Sequence, residues 1–424
     1  MPLYPNVCRG ILLKLPNPLF ELSTQSIQSI NLDEQTQSVV IKCRRDRRYK
    51  TVDPITGNAC TVDHYVQRRI RDLPISGYPC CIDIELAQVR TSDSVRRLEH
   101  CDFVSKGGRY THRFCQMISG LCRHTTIQAI SRHLGIRWET VKNIDKHVLS
   151  QSLPSQDVST LTHLKYIGVD EVARAKGHDY MTVVYNMESG QLIWVEHGRT
   201  TQVLMAFLEG LSKRTALGIQ AVAMDMGKAY QKAVRACLPN ADIVFDRFHV
   251  MQNYSKALRR QRMHEFRKAK TRHEKGLIKG SLFLLLMNAG KLDEKQSNKL
   301  DDLLEVNKNL CTMYMMKEQL QALWSATSYK EMSDRLETWC QLAKRSKLIV
   351  LHDFADSLQA HKEGICNYAK YGLTSARIEA GNVSIGLLRK RARGIRDTEY
   401  FKLKIRQISV KETHSMFYPK IKLT

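Results

Sequence analysis

Two short apolar runs, each followed by an aspartate, constrain the fold of this chain most strongly. Residues 166–169 precede Asp170, and residues 221–224 precede Asp225. Apolar runs of this length with polar residues on both sides are typical of fully buried strands. A carboxylate at the end of such a strand lies at the rim of the sheet. Two such strands side by side would bring both carboxylates within reach of one divalent cation.

The segments around these runs predict a mixed sheet covered by helices. The remaining predicted elements are strands at 179–185, 191–195 and 242–245 and helices at 201–211 and 228–237. The chain order is therefore strand, strand, strand, helix, strand, helix, strand. This order matches the RNase H-like fold, an α/β fold in which helices cover a mixed sheet.

A third acidic residue is predicted to join the two aspartates. Residues 249–364 are mostly helical by apolar spacing, and a minimal RNase H-like fold has no such block, so we interpret it as an all-helical insertion. The next helix begins near Leu373 and carries Glu379 one turn in, within reach of the sheet edge that holds Asp170 and Asp225. The residues predicted to face the sheet from this helix are Ile378, Val383 and Leu387.

Three carboxylates from separate elements are the ligands that Mg²⁺ prefers, and Mn²⁺ is an alternative ion. A pair of such ions can activate an attacking oxygen and stabilise the leaving one in phosphodiester chemistry. Any one of these acids alone would more simply be a surface charge or a helix cap. Their combination in this fold order favours a catalytic site. Glu171 is predicted to point away from it, because neighbouring residues of a strand face opposite sides.

The fifth predicted strand ends in the sequence Asp-Arg-Phe-His, which contains Asp246 and His249. One interpretation is a structural hydrogen bond that anchors the helical insertion. The other is an accessory role near the scissile phosphate or in positioning a flipped base. The residues alone leave both open.

Residues 126–148 have the layout of a helix-turn-helix. Apolar residues at helical spacing precede Gly135, where a tight turn is expected, and a second helix begins near Trp138. In such motifs the second helix enters the major groove of DNA. The candidates for base contact are Arg137, Trp138, Thr140, Lys142 and Asn143. The alternative is a plain helical hairpin packed on the core.

The charge of the chain favours a polyanionic partner, double-stranded DNA above all. The formal net charge is +24, and the basic residues are clustered, for example at 44–48 and 389–393. The alternative is a basic surface that binds nothing. No apolar run is long enough to cross a bilayer, and the first residues do not resemble a secretory signal, so no membrane partner and a cytoplasmic location are expected.

The cysteines favour neither a disulfide framework nor a metal site. Twelve cysteines occur without the regular spacing of small disulfide-rich domains. In the N-terminal region no two of them form the CxxC pair that a structural zinc usually requires, so zinc is not expected. A strand-like stretch at 80–89 follows the sequence RRIRDLP in this region.

Several motifs resemble the ISL-three family of bacterial insertion-sequence transposases. They are GVDE around Asp170, KGH-Y at 176–180, MDM-x-x-x-Y at 224–230, LPNADIVFDRFHV at 238–250 and LTSARIEAGN at 373–382. RRIRDLP and the helix-turn-helix are similar to the N-terminal region of that family, and the resemblance covers about residues 60–410. Family members usually carry paired CxxC zinc ligands before RRIRDLP, which this chain lacks. Where members read E-G-x-N-x-x-I-K, this chain has Glu379-Ala380-Gly381-Asn382 and then Ser384-Ile385-Gly386.

The resemblance implies a DDE transposase with Asp170, Asp225 and Glu379 as its catalytic, metal-binding triad. It also implies that Asp-Arg-Phe-His corresponds to the C/D-x-x-H signature of transposases with helical insertions. Such enzymes bind the terminal inverted repeats of their element, cleave DNA strands and join the freed 3′-hydroxyl to target DNA. A homodimer is implied, since two ends must be paired, and so is association with the nucleoid.

The chain is expected to contain several domains. We expect an N-terminal region that could be a degenerate zinc finger (1–105), a helix-turn-helix (106–150), a linker (151–163), the first part of the catalytic core (164–250), the insertion (251–364) and the final part of the core (365–424). One alternative function is a catalytically silent DNA-binding regulator derived from a transposase. The other is a structure-specific nuclease without strand transfer.

Overall fold

The computed structural model describes residue 20 and residues 22–91, 95–105, 108–374 and 376–413. The chain divides into two compact units, one formed by Met1–Leu153 with Lys411–Thr424 and the other by Pro154–Val410. Within the described ranges, no helix is both long and apolar enough to cross a membrane. Short 3-10 turns occur at Val158–Thr160, Ala289–Lys291 and Leu323–Ser325.

The first unit begins with a β-sheet. Its strands are β1 (Gln25–Asp33), β2 (Ser38–Arg45), β3 (Thr61–Ile75), β4 (Tyr78–Arg90) and β5 (Arg96–Leu98). They are ordered β1-β2-β4-β3, with β5 paired to the last residues of β4. Alternate residues such as Ile41, Ile82 and Ile84 are fully buried on one face, as the two-residue period of a strand requires.

Three cysteines of the first unit are side chains of the core that this sheet forms. Cys43, Cys80 and Cys101 are buried, and burial raises the pKa of each thiol to about 12. Since the thiolate is the form that binds metals and attacks electrophiles, these protonated thiols pack as small apolar groups at neutral pH.

In the described part of the first unit, the sheet is followed by the helices α1 (His112–His124), α2 (Ile127–Leu134) and α3 (Trp138–Ser152). Thr126 caps α2 by accepting a hydrogen bond from the N–H of Ala129, and Gly135 ends it in the left-handed conformation at φ 62°. A small core contains Phe114, Ile130 and Val141. The predicted helix-turn-helix is therefore confirmed as α2, a tight turn and α3.

Buried polar contacts join β3 to the helices. Asp72, from the RRIRDLP sequence, is 1% exposed. Its carboxylate accepts hydrogen bonds from the hydroxyl of Thr111 at 2.7 Å and from Nε of Arg113 at 2.8 Å. A buried carboxylate is stable only when paired in this way, which explains why an acid stands in this basic segment.

The second unit contains the predicted mixed sheet. Its strands are β6 (Tyr166–Ala175), β7 (Asp179–Asn186), β8 (Leu192–His197), β9 (Ala221–Met224) and β10 (Asp242–Phe245). The order is β10-β9-β6-β7-β8, in which β6, β7 and β8 are antiparallel neighbours and β9 and β10 run parallel to β6. All five strands predicted here from apolar runs and alternation are confirmed.

Helices cover both faces of this sheet. On one face lie α4 (Thr201–Gly210) and α6 (Lys228–Cys237), with the short α5 (Lys213–Gly218) between them in sequence. Side chains of α4 and α6 share a core with Ile167, Val169 and Val222. On the other face lie α15 (Ala376–Arg391) and α16 (Thr398–Ser409), which bury Val183 and Ala223.

The residues by which α15 contacts the sheet differ from the predicted set. Ile378, Ile385 and Leu388 are buried, whereas Val383 is 61% exposed and Leu387 is 60% exposed. The prediction was right for Ile378 and wrong for the other two. At 100° per residue, Ile385 and Leu388 lie within about 80° of Ile378 around the helix, whereas Val383 and Leu387 lie about 140° and 180° from it. The predicted set therefore does not share one face of the helix.

A block of helices separates β10 from α15. Its helices are α7 (Arg247–Lys268), α8 (Arg272–Ile278), α9 (Leu282–Leu286), α10 (Glu294–Val306), α11 (Lys308–Ala322), α12 (Tyr329–Arg345), α13 (Ile349–Ala360) and α14 (Lys362–Tyr371). Tyr254 of α7 is fully buried between Trp339 and Phe354 and donates to the carbonyl of Met313 at 2.6 Å. The amide of Asn367 on α14 donates to the carbonyl of Ile243 at 2.9 Å, which binds this block to the edge of the sheet.

Candidate active site

Asp170 lies where the parallel and antiparallel parts of the sheet separate. The sequence predicted that its strand ends there, which is wrong, because β6 continues to Ala175. The residues of β6 beyond Asp170 pair with β7. The pairing of β6 with β9 stops earlier, at Gly168 opposite Ala223. Asp170 therefore does lie at the rim of the parallel part of the sheet.

The strand register brings Asp225 to the same level as Asp170. Gly168 is opposite Ala223 in the parallel pair, and the two aspartates each follow two residues later. Since side chains alternate between faces, both carboxylates leave the sheet on the side of Ala223, which packs against α15 and α16. Each accepts the backbone N–H of the following residue on Oδ1, at 2.8 Å for Asp170 and 2.6 Å for Asp225.

The surroundings of Asp170, including Asp225, shift the pKa of its carboxyl. Burial raises the pKa of Asp170 above its ordinary value, and the negative charge of Asp225 raises it further. Hydrogen bonds from the Glu171 N–H and Asn382, and the neighbouring His249, lower this pKa. Neighbouring carboxylates of like charge in a partly desolvated environment are typical of functional sites.

Helix α15 crosses directly over Asp170. Nδ2 of Asn382 donates to Oδ2 of Asp170 at 2.7 Å. One turn earlier, Ile378 packs so closely on Gly168 that a Cβ at 168 would lie 2.5 Å from its Cδ1. Glu379 is half-buried and lies three residues before Asn382, so the two are neighbours on the helix surface. Across the described residues, no group of three or more His, Cys, Asp or Glu side chains is close enough to hold one metal ion.

Two residues that the sequence did not assign fix the position of this helix. The hydroxyl of Tyr185 donates to Oδ1 of Asn382 at 3.3 Å. A Cβ at Gly381 would lie 2.4 Å from that hydroxyl, so only glycine allows the helix to approach Tyr185 this closely. A glycine inside a helix costs about 1 kcal/mol relative to alanine and often marks such an approach, which is the signal that could have identified Gly381.

Asp246 and His249 lie beside the same site. The last pair in the parallel pairing of β10 with β9 is Phe245 opposite Met224. The next residue of each strand is Asp246 and Asp225, so these two aspartates lie side by side. Asp246 is 5% exposed, and its Oδ2 has no hydrogen-bond partner in the part of the chain that the structure describes. This oxygen therefore does not make the anchoring hydrogen bond that one interpretation of the sequence assumed.

The carboxylates at this edge of the sheet are of the chemical type that a hard divalent cation binds, although no three of them converge in the part of the chain that the structure describes. Asp170 and Asp225 present carboxylates on one side of the sheet, and the buried Oδ2 of Asp246 has no partner among the described residues. Carboxylate oxygens of this kind are the ligands that Mg²⁺ and Mn²⁺ prefer. Glu171 lies on the other side of β6, where it pairs with Arg199 at 3.3 Å.

The five candidate DNA contacts lie together at the start of α3. Arg137, Trp138 and Asn143 are exposed, Trp138 to 47%, while Thr140 and Lys142 are half-buried. None of them belongs to the small core of the helices. The first two turns of the second helix thus present polar, basic and aromatic side chains at their surface.

Comparison with known proteins identifies the family. A family profile described as a transposase matches residues 167–405, and one described as the helix-turn-helix domain of transposase family ISL3 matches residues 99–149. The chain is 34% identical over 342 residues to the transposase for insertion sequence element IS1001 of Bordetella parapertussis, covering 80% of this chain and 84% of that protein.

A second similar protein is the transposase for insertion sequence element IS1557 of Mycobacterium tuberculosis. It is 26% identical over 312 residues, which cover 68% of this chain and 70% of that protein. Both matches cover most of the chain, and the two profiles match its helix-turn-helix and the unit that holds Asp170 and Asp225. The chain therefore belongs to the ISL3 family of insertion-sequence transposases.

Proposed function

We propose that this chain is a DDE transposase that cleaves DNA at the ends of its element and joins the freed 3′-hydroxyl to target DNA. The observation that carries the proposal is the pair Asp170 and Asp225 on one side of adjacent parallel strands, with α15 packed across them. The strand order β10-β9-β6-β7-β8 supports an RNase H-like catalytic domain, and helices α7 to α14 would be its insertion.

The proposed catalytic residues are Asp170, Asp225 and Glu379, which would together hold Mg²⁺ or Mn²⁺. A bound cation of this kind polarises an attacking oxygen and stabilises the charge of the leaving oxygen. Asn382 orients one oxygen of Asp170 while the N–H of Glu171 orients the other. These hydrogen bonds fix the carboxylate before DNA arrives, which reduces the reorganisation needed for reaction.

We assign accessory roles to Asp246 and His249. The unpaired buried oxygen of Asp246 beside Asp225 supports a place within the site. The effect of His249 on the pKa of Asp170 supports a position facing that carboxylate. A histidine there can donate a hydrogen bond to a phosphate oxygen.

DNA recognition is assigned to the first unit. Arg137, Trp138, Thr140, Lys142 and Asn143 would contact base edges from the start of α3, in the manner of a recognition helix. The net charge of +24 supports affinity for the phosphate backbone of the terminal repeats and of the target. Because two element ends must be joined, we also propose a homodimer that acts on the nucleoid in the cytoplasm.

The test is strand cleavage by the purified chain on a duplex that carries a terminal inverted repeat of its element. We expect nicks with Mg²⁺ or Mn²⁺, none in EDTA, and joined products when target plasmid is added. Binding without nicks would instead support a silent regulator. Nicks without joined products would support a nuclease, and either result would contradict the proposal.

A further inference from the structure

One face of α7 carries a line of exposed basic side chains. The basic stripe, as we call it, consists of Lys256, Arg259, Arg260 and Arg267. At 100° per residue these four lie within about 100° of one another around the helix axis. The opposite side of α7, with Tyr254, Leu258 and other buried residues, packs into the core.

Among the described residues, no acidic side chain neutralises the charges of the basic stripe. The one acid within α7, Glu265, is buried and accepts hydrogen bonds from Gln261 at 2.7 Å and Asn309 at 3.0 Å. Throughout the described ranges, no carboxylate lies within ion-pair distance of the four stripe cations. Lys256 donates a hydrogen bond to the amide oxygen of Asn253 at 3.0 Å, which is a neutral partner.

The stripe leads away from the active site. His249 lies on the same face of α7, seven residues before Lys256 and eleven before Arg260, which is the spacing of one helix side. Helix α7 begins directly after Asp246, which the register of β10 and β9 places beside Asp225, so His249 in its first turn lies close to that carboxylate. One continuous face of α7 therefore begins at the catalytic carboxylates and continues as exposed cations.

We propose that the basic stripe binds the phosphate backbone of the DNA duplex beside the cleavage point. The 22 residues of α7 span about 33 Å, close to one turn of B-DNA. Lys256 and Arg260 are separated by about 6 Å along the helix, and Arg260 and Arg267 by about 10 Å, distances of about two and three phosphate steps along one strand. This inference rests on the proposed function for the nature of the substrate.

The experiment compares the full-length chain with a variant in which Lys256, Arg259, Arg260 and Arg267 are all replaced by Gln. A matched control replaces four exposed cations elsewhere in the helical block that form no ion pair with any described residue: Lys295, Lys299, Lys330 and Arg345. Binding to a fluorescent mixed-sequence duplex of about 40 base pairs is measured in EDTA as salt is raised from about 50 to 300 mM. Circular dichroism melting confirms that both variants are folded.

The stripe variant should lose about 3.6 units from the slope of log affinity against log salt, because it lacks four cations and each phosphate contact contributes about 0.9. At about 0.15 M salt its affinity should fall about 100-fold, while the control should change less than about 3-fold. Equal slopes for the stripe variant and the control would overturn the inference. Because this binding assay needs no cleavage, equal slopes would not contradict the proposed catalysis. Conversely, failure of the unmodified chain to nick DNA would not contradict the proposed role of the basic stripe in binding.

Discussion

Replacing Asp225 by Asn is expected to abolish strand cleavage while DNA binding persists. The amide has the shape of the carboxylate but lacks its charge, so a cation shared with Asp170 would lose an anionic ligand. We expect nicking with Mg²⁺ to fall by at least about 1000-fold. The helix-turn-helix lies in the other unit, so affinity for the terminal repeat should change less than about 3-fold.

A matched control for this variant is available on the same sheet. Asp242 begins β10, at the other end of the parallel strands, where it accepts hydrogen bonds from Lys370 and Tyr371 at 2.7 Å each. Asp242→Asn removes the same charge from the same domain and should nick within about 3-fold of the unmodified chain. If Asp225→Asn cut DNA as fast as Asp242→Asn, Asp225 would not belong to the catalytic set.

Replacing Gly381 by Ala is expected to reduce cleavage by about 100-fold without unfolding the protein, because misplacing a catalytic group by about 1 Å has effects of that size. The new methyl group would lie 2.4 Å from the hydroxyl of Tyr185 and 2.8 Å from its ring. Tyr185 is 2% exposed and has little room to move, so α15 must shift away from the sheet. That shift would displace both Asn382 and Glu379.

Gly386 provides the control for this substitution within the same helix. A Cβ at Gly386 would meet no atom within 4 Å, so Gly386→Ala gains helix propensity without a clash. It should leave cleavage within about 2-fold and raise stability by up to about 1 kcal/mol. Equal cleavage rates for the Gly381→Ala and Gly386→Ala variants would show that the close approach to Tyr185 has no part in catalysis.

The sequence predicts most of the second unit because its signals are local. Each strand of the mixed sheet is a short apolar or alternating run, and these periods follow from backbone geometry. The same holds for the helix-turn-helix, where Gly135 marks the turn. Asp170 and Asp225 stand out for the same reason, since each interrupts an apolar run.

Other features depend on contacts between distant parts of the chain. The roles of Gly381 and Asn382 require Tyr185, which is 197 residues from Asn382 in sequence. The errors over Val383 and Leu387 have another origin, since at 100° per residue these side chains lie about 140° and 180° around the helix from Ile378. In the first unit, β3 contains RRIRDLP and many exposed polar residues, so its 15 residues lack the alternation that would identify a strand.

The central claim is that Asp170, Asp225 and Glu379 hold one cation site. The most direct measurement is the anomalous scattering of Mn²⁺ in crystals of the full chain bound to a terminal-repeat duplex. The account predicts Mn²⁺ coordinated by oxygens of Asp170 and Asp225 at about 2.2 Å, with Glu379 in or beside the coordination shell. Mn²⁺ bound elsewhere, or Glu379 turned to solvent while the aspartates hold the ion, would contradict it.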